Sequence, residues 1–308
     1  MLAVIPAAGL GERLRPLTCA IPKPLVPVAG VPVIERTAAR LAAAGVDRIC
    51  LVVGHLSELL EDWADRSCPV PCSTVRQETA DGLGSAVLRA APLMSSEPVM
   101  VVLGDTIFDS GLEDVALSAG SSIGVARVCE PSRYGIVTER DGFAVSVVEK
   151  PEERVGDLAI CGAYRFRSGD GLSEALERLV SSGRRTRGEF QLTDAIQRMI
   201  EAGEKFELPR IGRWFDCGTA ASVLEANRVL LDSERGGSMG NPGWTPPVFT
   251  GDGAVIADSR LGPHASIGRD CRIVRSRLSD MIACDGAVIE EEDIRRAIVA
   301  PGGIRLHA

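Results

Sequence analysis

The residues best suited to chemistry sit in glycine- and proline-rich turns. An apolar run ends in Pro6-Ala7-Ala8-Gly9-Leu10-Gly11-Glu12-Arg13, and Ile21-Pro22-Lys23-Pro24 follows shortly after. Gly9 and Gly11 let backbone N–H groups approach an oxyanion closely, and Arg13 adds a fixed cation, so the turn has the physics of phosphate binding. A dinucleotide fingerprint would need a third glycine where Leu14 stands, and a P-loop would need Gly-Lys-Ser/Thr. Taken alone, Gly-x-Gly-x-Arg suits a plain strand-to-helix turn equally well. Lys23 lies on a backbone stiffened by two prolines; by itself it reads as a turn lysine. Asp105 closes the run Val99–Leu103 through Gly104, and Asp216 follows Trp214-Phe215 and precedes Gly218. Each aspartate alone would be a turn or helix-cap residue. His55, His264 and His307 are isolated, and Cys68 and Cys72 form a possible pair with no second pair to complete a zinc site.

The elements that must position these residues are short β-branched runs alternating with segments of helical period. Strands are predicted at Leu2–Ile5, Ile49–Val53, Val99–Leu103, Ile123–Val128, Ala144–Val148 and Ala159–Phe166. Helices are predicted at Val33–Ala44, Leu56–Asp65, Leu83–Ala91, Leu172–Val180, Leu192–Ala202 and Ala220–Leu231. Such alternation, with nearly all-apolar strands, predicts an α/β fold with a doubly wound, mainly parallel, Rossmann-like sheet. Ligands of such a sheet bind beyond the carboxyl ends of its strands, where Asp105 is expected.

The pattern stops near Leu231. Three regions are expected: 1–232, a linker over 233–253 rich in glycine and proline, and 254–308. In the last, Val255, Leu261, Ile267 and Ile273 recur every six residues, with the small residues Ala265 and Cys271 between them. That period predicts a small left-handed parallel β-helix; an ordinary β-meander is the alternative. From Ser279 the register blurs, and Glu290–Asp293 reads as a solvated acidic surface.

Composition narrows the classes. Of 308 residues, 45% are hydrophobic and 25% charged, the mix of a globular protein rather than a disordered or collagen-like one. The net charge of −8 comes with no basic run, which argues against a nucleic-acid partner. No apolar run reaches the roughly 18 residues that span a bilayer, so no membrane association is expected. Met1–Leu14 lacks a basic leader, and the nine cysteines are scattered, many in apolar stretches, so reduced thiols and a cytoplasmic location are expected. Only Lys23, Lys150 and Lys205 are lysine in an arginine-rich chain, which draws attention to the settings of the first two.

The longer motifs are more specific. After the segment 4–34 come Gln77-Glu78-Thr79-Ala80-Asp81-Gly82-Leu83-Gly84-Ser85-Ala86, Leu103-Gly104-Asp105, Arg133-Tyr134-Gly135-Ile136-Val137 and Val148-Glu149-Lys150-Pro151. Gly162-Ala163-Tyr164, Gly188-Glu189-Phe190-Gln191-Leu192-Thr193-Asp194 and Trp214-Phe215-Asp216-Cys217-Gly218-Thr219 complete the order. Over residues 2–231 the chain resembles the sugar-1-phosphate nucleotidyltransferases, especially bacterial glucose-1-phosphate thymidylyltransferases and UTP–glucose-1-phosphate uridylyltransferases.

The resemblance implies the reaction NTP + sugar 1-phosphate → NDP-sugar + pyrophosphate, by in-line attack of a sugar-phosphate oxygen on the α-phosphorus. Positioning and charge neutralisation carry such a step. It implies Mg²⁺ held by Asp105 and Asp216, the hard oxygen donors that this ion prefers. It implies Arg13 and Lys23 over the nucleotide phosphates, with Ala8, Gly9 and Gly11 lining the loop. Gln77 and Gly82 match the pair that reads a pyrimidine base, since a glutamine amide meets an imide edge. Lys150 matches the lysine on the sugar phosphate, Glu149 the residue on sugar hydroxyls, and Tyr134, Gly135, Gly162, Glu189 and Trp214 the sugar pocket. Tyr164 reads as core, and Thr193 or Asp194 as a helix cap. Glu12 departs from the family pattern, and its charge beside a triphosphate is repulsive unless it points outward or pairs with Arg13 or Arg15.

UTP or dTTP with glucose 1-phosphate is therefore the expected substrate pair, in a homo-oligomer (dimer or tetramer). The alternatives are a purine-NTP enzyme acting on an unusual sugar or cyclitol 1-phosphate, and a non-catalytic sugar-nucleotide sensor. An acyltransferase role for the C-terminal coils is disfavoured, because His264 lies inside a repeat and the tail is short.

Overall fold

The computed structural model describes residues 1–235 and 243–308. Part of the expected linker over 233–253 lies outside the described residues. In chain order the elements begin with β1 (Leu2–Pro6), β2 (Pro27–Val28), β3 (Val31–Pro32), α1 (Val33–Ala43), β4 (Arg48–Val53), α2 (Ser57–Ser67) and β5 (Cys72–Arg76). Next are α3 (Leu83–Leu88), β6 (Val99–Val102), β7 (Thr106–Phe108), α4 (Leu112–Leu117), β8 (Ser121–Arg127), β9 (Gly135–Arg140), β10 (Phe143–Glu149) and β11 (Leu158–Phe166). Then come α5 (Gly169–Ser181), α6 (Leu192–Glu201), β12 (Phe206–Glu207), β13 (Trp214–Asp216) and α7 (Ala220–Arg235). By contact the chain divides into two compact units: Met1–Gly9 with Thr37–Trp214, and Leu10–Arg36 with Phe215–Ala308. The division cuts across chain order and sets the segment 10–36 with the C-terminal part.

The first unit is built on a nine-stranded sheet, ordered β5-β4-β1-β6-β11-β8-β12-β10-β9. The expectation of a mainly parallel sheet holds for one half only. β5, β4, β1 and β6 run parallel, whereas β11 is antiparallel to both β6 and β8, and β10 is antiparallel to β12 and β9. The sheet is thus mixed. One physical reason is visible between β9 and β10, where Asp141 (φ 53°) and Gly142 (φ 83°) form a two-residue turn with both φ positive. That conformation matches strand twist and closes a hairpin, which parallel strands cannot use.

Ala3, Val4 and Ile5 of β1 are all fully buried, so both sheet faces are covered. On one side Val4, Val101, Ile123 and Phe166 join Leu172, Leu176, Leu192 and Ile196 of α5 and α6 in a single core. The predicted helices are all present, with ends shifted by a few residues, as expected where caps rather than apolar period set the boundary. Of the nine strands of the sheet, β5, β9 and β12 were not predicted. β5 is an edge strand with Ser73, Thr74 and Arg76 exposed, and lacks an apolar signal.

In the second unit the remaining strands are β14 (Val248–Thr250), β15 (Val255–Ala257), β16 (Arg260–Leu261), β17 (Ala265–Ile267), β18 (Arg272–Val274) and β19 (Arg277–Ser279). They continue as β20 (Met281–Ala283), β21 (Val288–Glu290), β22 (Asp293–Arg295), β23 (Ala297–Ala300) and β24 (Ile304–His307). They form three parallel ladders, β14-β17-β20-β23, β15-β18-β21 and β16-β19-β22, with β24 returning antiparallel on β23. Successive strands visit the three ladders in turn, the arrangement of a parallel β-helix. Its corners carry left-handed residues in series: Asp258, Arg275 and Glu291 on one, His264, Asp280 and Arg296 on another. Leu261, Ile267 and Ile273 point inward as expected, and so do Ala265 and Cys271. Val255 does not; it is 54% exposed, and its neighbour Ile256 packs on the core instead. The coil also continues where the register seemed to blur, with Met281, Ile289 and Ile294 inside. Glu290, Glu291 and Glu292 pair with Arg272, Arg275 and Arg305.

Candidate active site

In the first unit Ala8, Gln77 and Asp105 follow the carboxyl ends of the parallel strands β1, β5 and β6. β1 hands over to buried Ala8 and exposed Gly9, with the N–H of Ala7 donating to the Val52 carbonyl at 2.8 Å. β6 hands over to Asp105 through Leu103, whose N–H donates to the Gly162 carbonyl at 2.9 Å, and Gly104, whose N–H reaches the Pro6 carbonyl at 3.4 Å. The ends of β1 and β6, which bear Ala8 and Asp105, are therefore tied to each other and to Gly162 in the middle of β11. Gly162 has φ +86°, and a Cβ there would lie 2.7 Å from the Leu103 side chain. It falls at the register break in β11, where a glycine relieves the bulge.

β5 delivers Gln77, which is 7% exposed. Its N–H donates to the Val53 carbonyl at 2.9 Å. The side-chain Nε2 donates to Asp81 Oδ1 at 3.2 Å and to the Gly82 carbonyl at 3.3 Å. With the amide nitrogen so engaged, the amide oxygen is left to accept. Gly82 has φ +123°, and a Cβ there would lie 2.5 Å from the carbonyl oxygen and 2.7 Å from the nitrogen of Phe190. Two backbone bonds lock this approach: Gly84 N–H to the Phe190 carbonyl at 2.7 Å, and Phe190 N–H to the Asp81 carbonyl at 2.8 Å. The motifs around Gly82 and Glu189, about a hundred residues apart in sequence, are thus one structure.

β10 ends at Glu149, whose Oε2 accepts from Thr193 Oγ1 at 3.2 Å and whose Oε1 lies 3.4 Å from Lys150 Nζ. Lys150 has φ 42°, and its N–H donates to the Tyr134 carbonyl at 3.0 Å. A non-glycine residue in that region is held there by its surroundings. Gly135 faces the same carboxylate: a Cβ there would sit 3.3 Å from Glu149 Oε2. Tyr134 and Trp214 meet edge to face with centroids 5.3 Å apart. Tyr134, Gly135, Glu149, Lys150 and Trp214 are accordingly brought together. Glu189 is exposed, and its Oε2 accepts from Gln191 Nε2 at 3.0 Å. Tyr164 is core, 3% exposed and stacked on Phe166, and burial pushes its phenol well above the usual range.

The sequence reading missed Arg187. It has φ 55° and donates Nη2 to the Lys150 carbonyl at 2.9 Å, placing a guanidinium-bearing residue beside the lysine. The Arg184-Arg185-Thr186-Arg187 run was its only signal. Asp194 encloses one carboxylate oxygen, Oδ2, without a hydrogen-bond partner, in the first turn of α6 where the helix N-terminus favours an anion.

The second unit holds the other part of the glycine loop. Gly11 has φ +62° and starts a 3₁₀ turn over Glu12–Leu14; its carbonyl accepts from Thr18 Oγ1 at 2.9 Å. A Cβ at Gly11 would meet Thr18 Cγ2 at 2.7 Å and Lys23 Cβ at 3.5 Å, so Lys23 lies against the loop. Arg13 and Asp216 converge over the backbone of Gly218. The position of a Gly218 Cβ is 2.5 Å from Arg13 Nη2 and 2.8 Å from Asp216 Oδ1. Glu12 is exposed, as Arg13 is, and makes no ion pair with Arg13 or Arg15 among the described residues.

Among the described residues no three His, Cys, Asp or Glu side chains cluster as a complete metal cage. The nine cysteines are thiols, and no described helix is long and apolar enough to cross a membrane.

The nucleotidyl transferase family model matches residues 2–233, and the chain belongs to that family of enzymes. The glucose-1-phosphate thymidylyltransferase of Streptomyces antibioticus is 30% identical over 90% of this chain and 85% of its own length. The bifunctional protein GlmU of Methanocaldococcus jannaschii is 34% identical over 75% of this chain, but only 55% of GlmU is covered. A UDP-glucose pyrophosphorylase solved with UDP-glucose superposes with a TM-score of 0.67 at 26% identity, covering 76% of this chain and 99% of that one.

Proposed function

We propose that the chain transfers a nucleotidyl group from UTP or dTTP to glucose 1-phosphate, releasing pyrophosphate. The observation that carries this reading is the juncture of Gly82 with Phe190, which joins the base-reading motif to the segment whose Thr193 orients Glu149. Gln77, with Nε2 engaged by Asp81 and Gly82, offers its oxygen to the imide N–H of uracil or thymine. Glu149 accepts from sugar hydroxyls, while Lys150, with Arg187 beside it, takes the sugar phosphate. Arg13 and Lys23 hold the β- and γ-phosphates and the α-phosphate. A phosphate oxygen of the sugar then attacks the α-phosphorus in line, the bond to the β-phosphate oxygen breaks, and pyrophosphate leaves. No side chain needs to act as nucleophile.

Asp105 and Asp216 would hold Mg²⁺ through hard carboxylate oxygens, the donors this ion prefers. When bound there, the ion supplies charge neutralisation at the phosphates. The C-terminal coils are read as left-handed, and the open ladder edges of the first coil as a subunit contact in a homo-oligomer.

A pyrophosphate-release screen of five NTPs against several sugar 1-phosphates tests the reading. UTP or dTTP with glucose 1-phosphate should give the highest kcat/KM. Preference for a purine NTP with another sugar or a cyclitol phosphate would replace the substrate assignment, and no release with any pair would favour a sugar-nucleotide sensor.

A further inference from the structure

A cavity lies within the first unit, at the strand ends opposite Asp105. Its volume is about 670 Å³, within the range of small-molecule sites. β6 and β8 run in the same direction, since both are antiparallel to β11. The cavity is lined by Ser121, the first residue of β8, and by Arg167, just past the end of β11, whereas Asp105 follows the end of β6. The length of a strand, roughly 20 Å for seven residues, separates the two sets of strand ends.

The lining is cationic and pre-arranged. Arg167, Arg178, Arg198 and Lys205 outnumber Glu174 and Glu204. Glu174 is bonded to Arg178, and Glu204 to the hydroxyl of Ser121 with Arg167 at 3.8 Å. Arg198 is held from behind by neutral acceptors, Nη1 on the Arg178 carbonyl at 3.3 Å and Nη2 on Ser182 Oγ at 3.2 Å. Lys205 lies over the Phe143 ring at 5.3 Å. Neither has a carboxylate partner among the described residues. A fixed guanidinium and a nearby ammonium, both uncompensated, suit a phosphate group. Met199 and Ala175 supply an apolar wall for a compact organic body.

One element joins this cavity to the proposed sugar site. α6 begins with Thr193 bonded to Glu149 and ends with Arg198 and Met199 in the cavity wall. In between, Gln197 Oε1 accepts from the Val147 N–H at 2.8 Å, and Ala195 and Ile196 are buried. A packed helix moves as a unit, so displacement at one end is felt at the other.

We propose that this cavity is a regulatory site for a small phosphomonoester, and that its occupancy is passed through α6 to Glu149. Binding at the cavity stands independently of the substrate assignment; the coupling to Glu149 rests on it. Calorimetry of the whole chain with glucose 6-phosphate and glycerol 3-phosphate, using glucose and glycerol as uncharged twins, tests both parts. At least one phosphomonoester should bind where its twin does not. The Arg198→Ala/Lys205→Ala variant, and the surface variant Lys205→Glu alone, should weaken that binding about tenfold or more, with unchanged basal turnover. Lys150→Ala should bind the phosphomonoester as the parent does. In a pyrophosphate-release assay the ligand should shift KM for sugar 1-phosphate at least twofold in the parent and not in the cavity variants. Absence of binding by both phosphomonoesters, or binding lost in Lys150→Ala but kept in the cavity variants, would overturn the site. Binding at the cavity with KM unmoved would overturn the coupling, and absence of turnover with binding intact would count against the substrate assignment alone.

Discussion

Thr193 donates its hydroxyl to Oε2 of Glu149 at 3.2 Å, while Lys150 Nζ stands 3.4 Å from Oε1 of the same carboxylate. Both oxygens are thereby oriented, one by the first turn of α6 and one by the next residue along the chain. Removing the hydroxyl in Thr193→Val should free one oxygen and weaken sugar binding. A neutral-to-charged hydrogen bond is worth about 1.5–3 kcal/mol, so KM for sugar 1-phosphate should rise roughly tenfold to 150-fold with kcat changed much less. Steady-state kinetics decides, and an unchanged KM would detach Thr193 from substrate orientation.

Asp105→Asn keeps the size of the side chain and removes its charge. Turnover should fall below detection while the thermal unfolding midpoint stays within a few degrees of the parent, because Asp105 lies at a strand end rather than in the core. Near-normal pyrophosphate release from the variant would remove Asp105 from the proposed metal site.

Gly82→Ala places a methyl group 2.5 Å from the Phe190 carbonyl oxygen at a φ of +123°. Backbone lies on the other side of the clash, so no flexible side chain can move aside. A loss of about 2–4 kcal/mol is expected from the strain and the broken approach. Urea denaturation measures the loss, and KM for the nucleotide should rise in whatever fraction still folds.

Asn227 of α7 is fully buried within the second unit. Its Oδ1 accepts from the Ala29 N–H at 2.9 Å and from Ser266 Oγ at 2.7 Å, and its Nδ2 donates to the His264 carbonyl at 3.3 Å. Asn227→Ala leaves buried donors and an acceptor without partners, which costs about 1–3 kcal/mol for each group left unsatisfied. The denaturation midpoint should drop clearly, and a variant as stable as the parent would show that water replaces the amide.

Cys68 and Cys72 share a thiol hydrogen bond that lowers the Cys68 thiol to about 7, while Cys72 is pushed up and keeps its proton. Iodoacetamide should therefore modify Cys68 with a pH midpoint near 7, and Cys72→Ala should move it toward the free-thiol range of about 8.5. A folded value below the unfolded one means that the Cys68 contribution to stability is present at high pH and fades as pH falls through 7. Burial raises Cys50 and Cys284 to about 12, so both should stay unmodified in the native protein.

Apolar period and glycine placement were enough to read every helix but the short α4, six strands of the sheet and the inward residues Leu261, Ile267 and Ile273, because burial on a regular element imposes a regular spacing. The motif residues were legible for a related reason: a left-handed glycine at 11 or 82 and a carboxylate after a strand each mark a backbone that only certain residue types allow. The Asp141-Gly142 hairpin signal was also present, yet it was passed over, and with it the antiparallel half of the sheet.

Other features depended on partners distant in the chain. The pairing of Gly82 with Phe190, the aim of Glu149 by Thr193, the place of Arg187 beside Lys150 and the meeting of Arg13 with Asp216 over Gly218 leave no periodic trace, since each joins segments tens to hundreds of residues apart. Val255 shows the same limit inside a repeat, where a one-residue shift turns a side chain from core to solvent. Local sequence sets which residues can do the chemistry; long-range packing sets where their atoms point, because a side chain's direction belongs to its neighbours as much as to its own backbone.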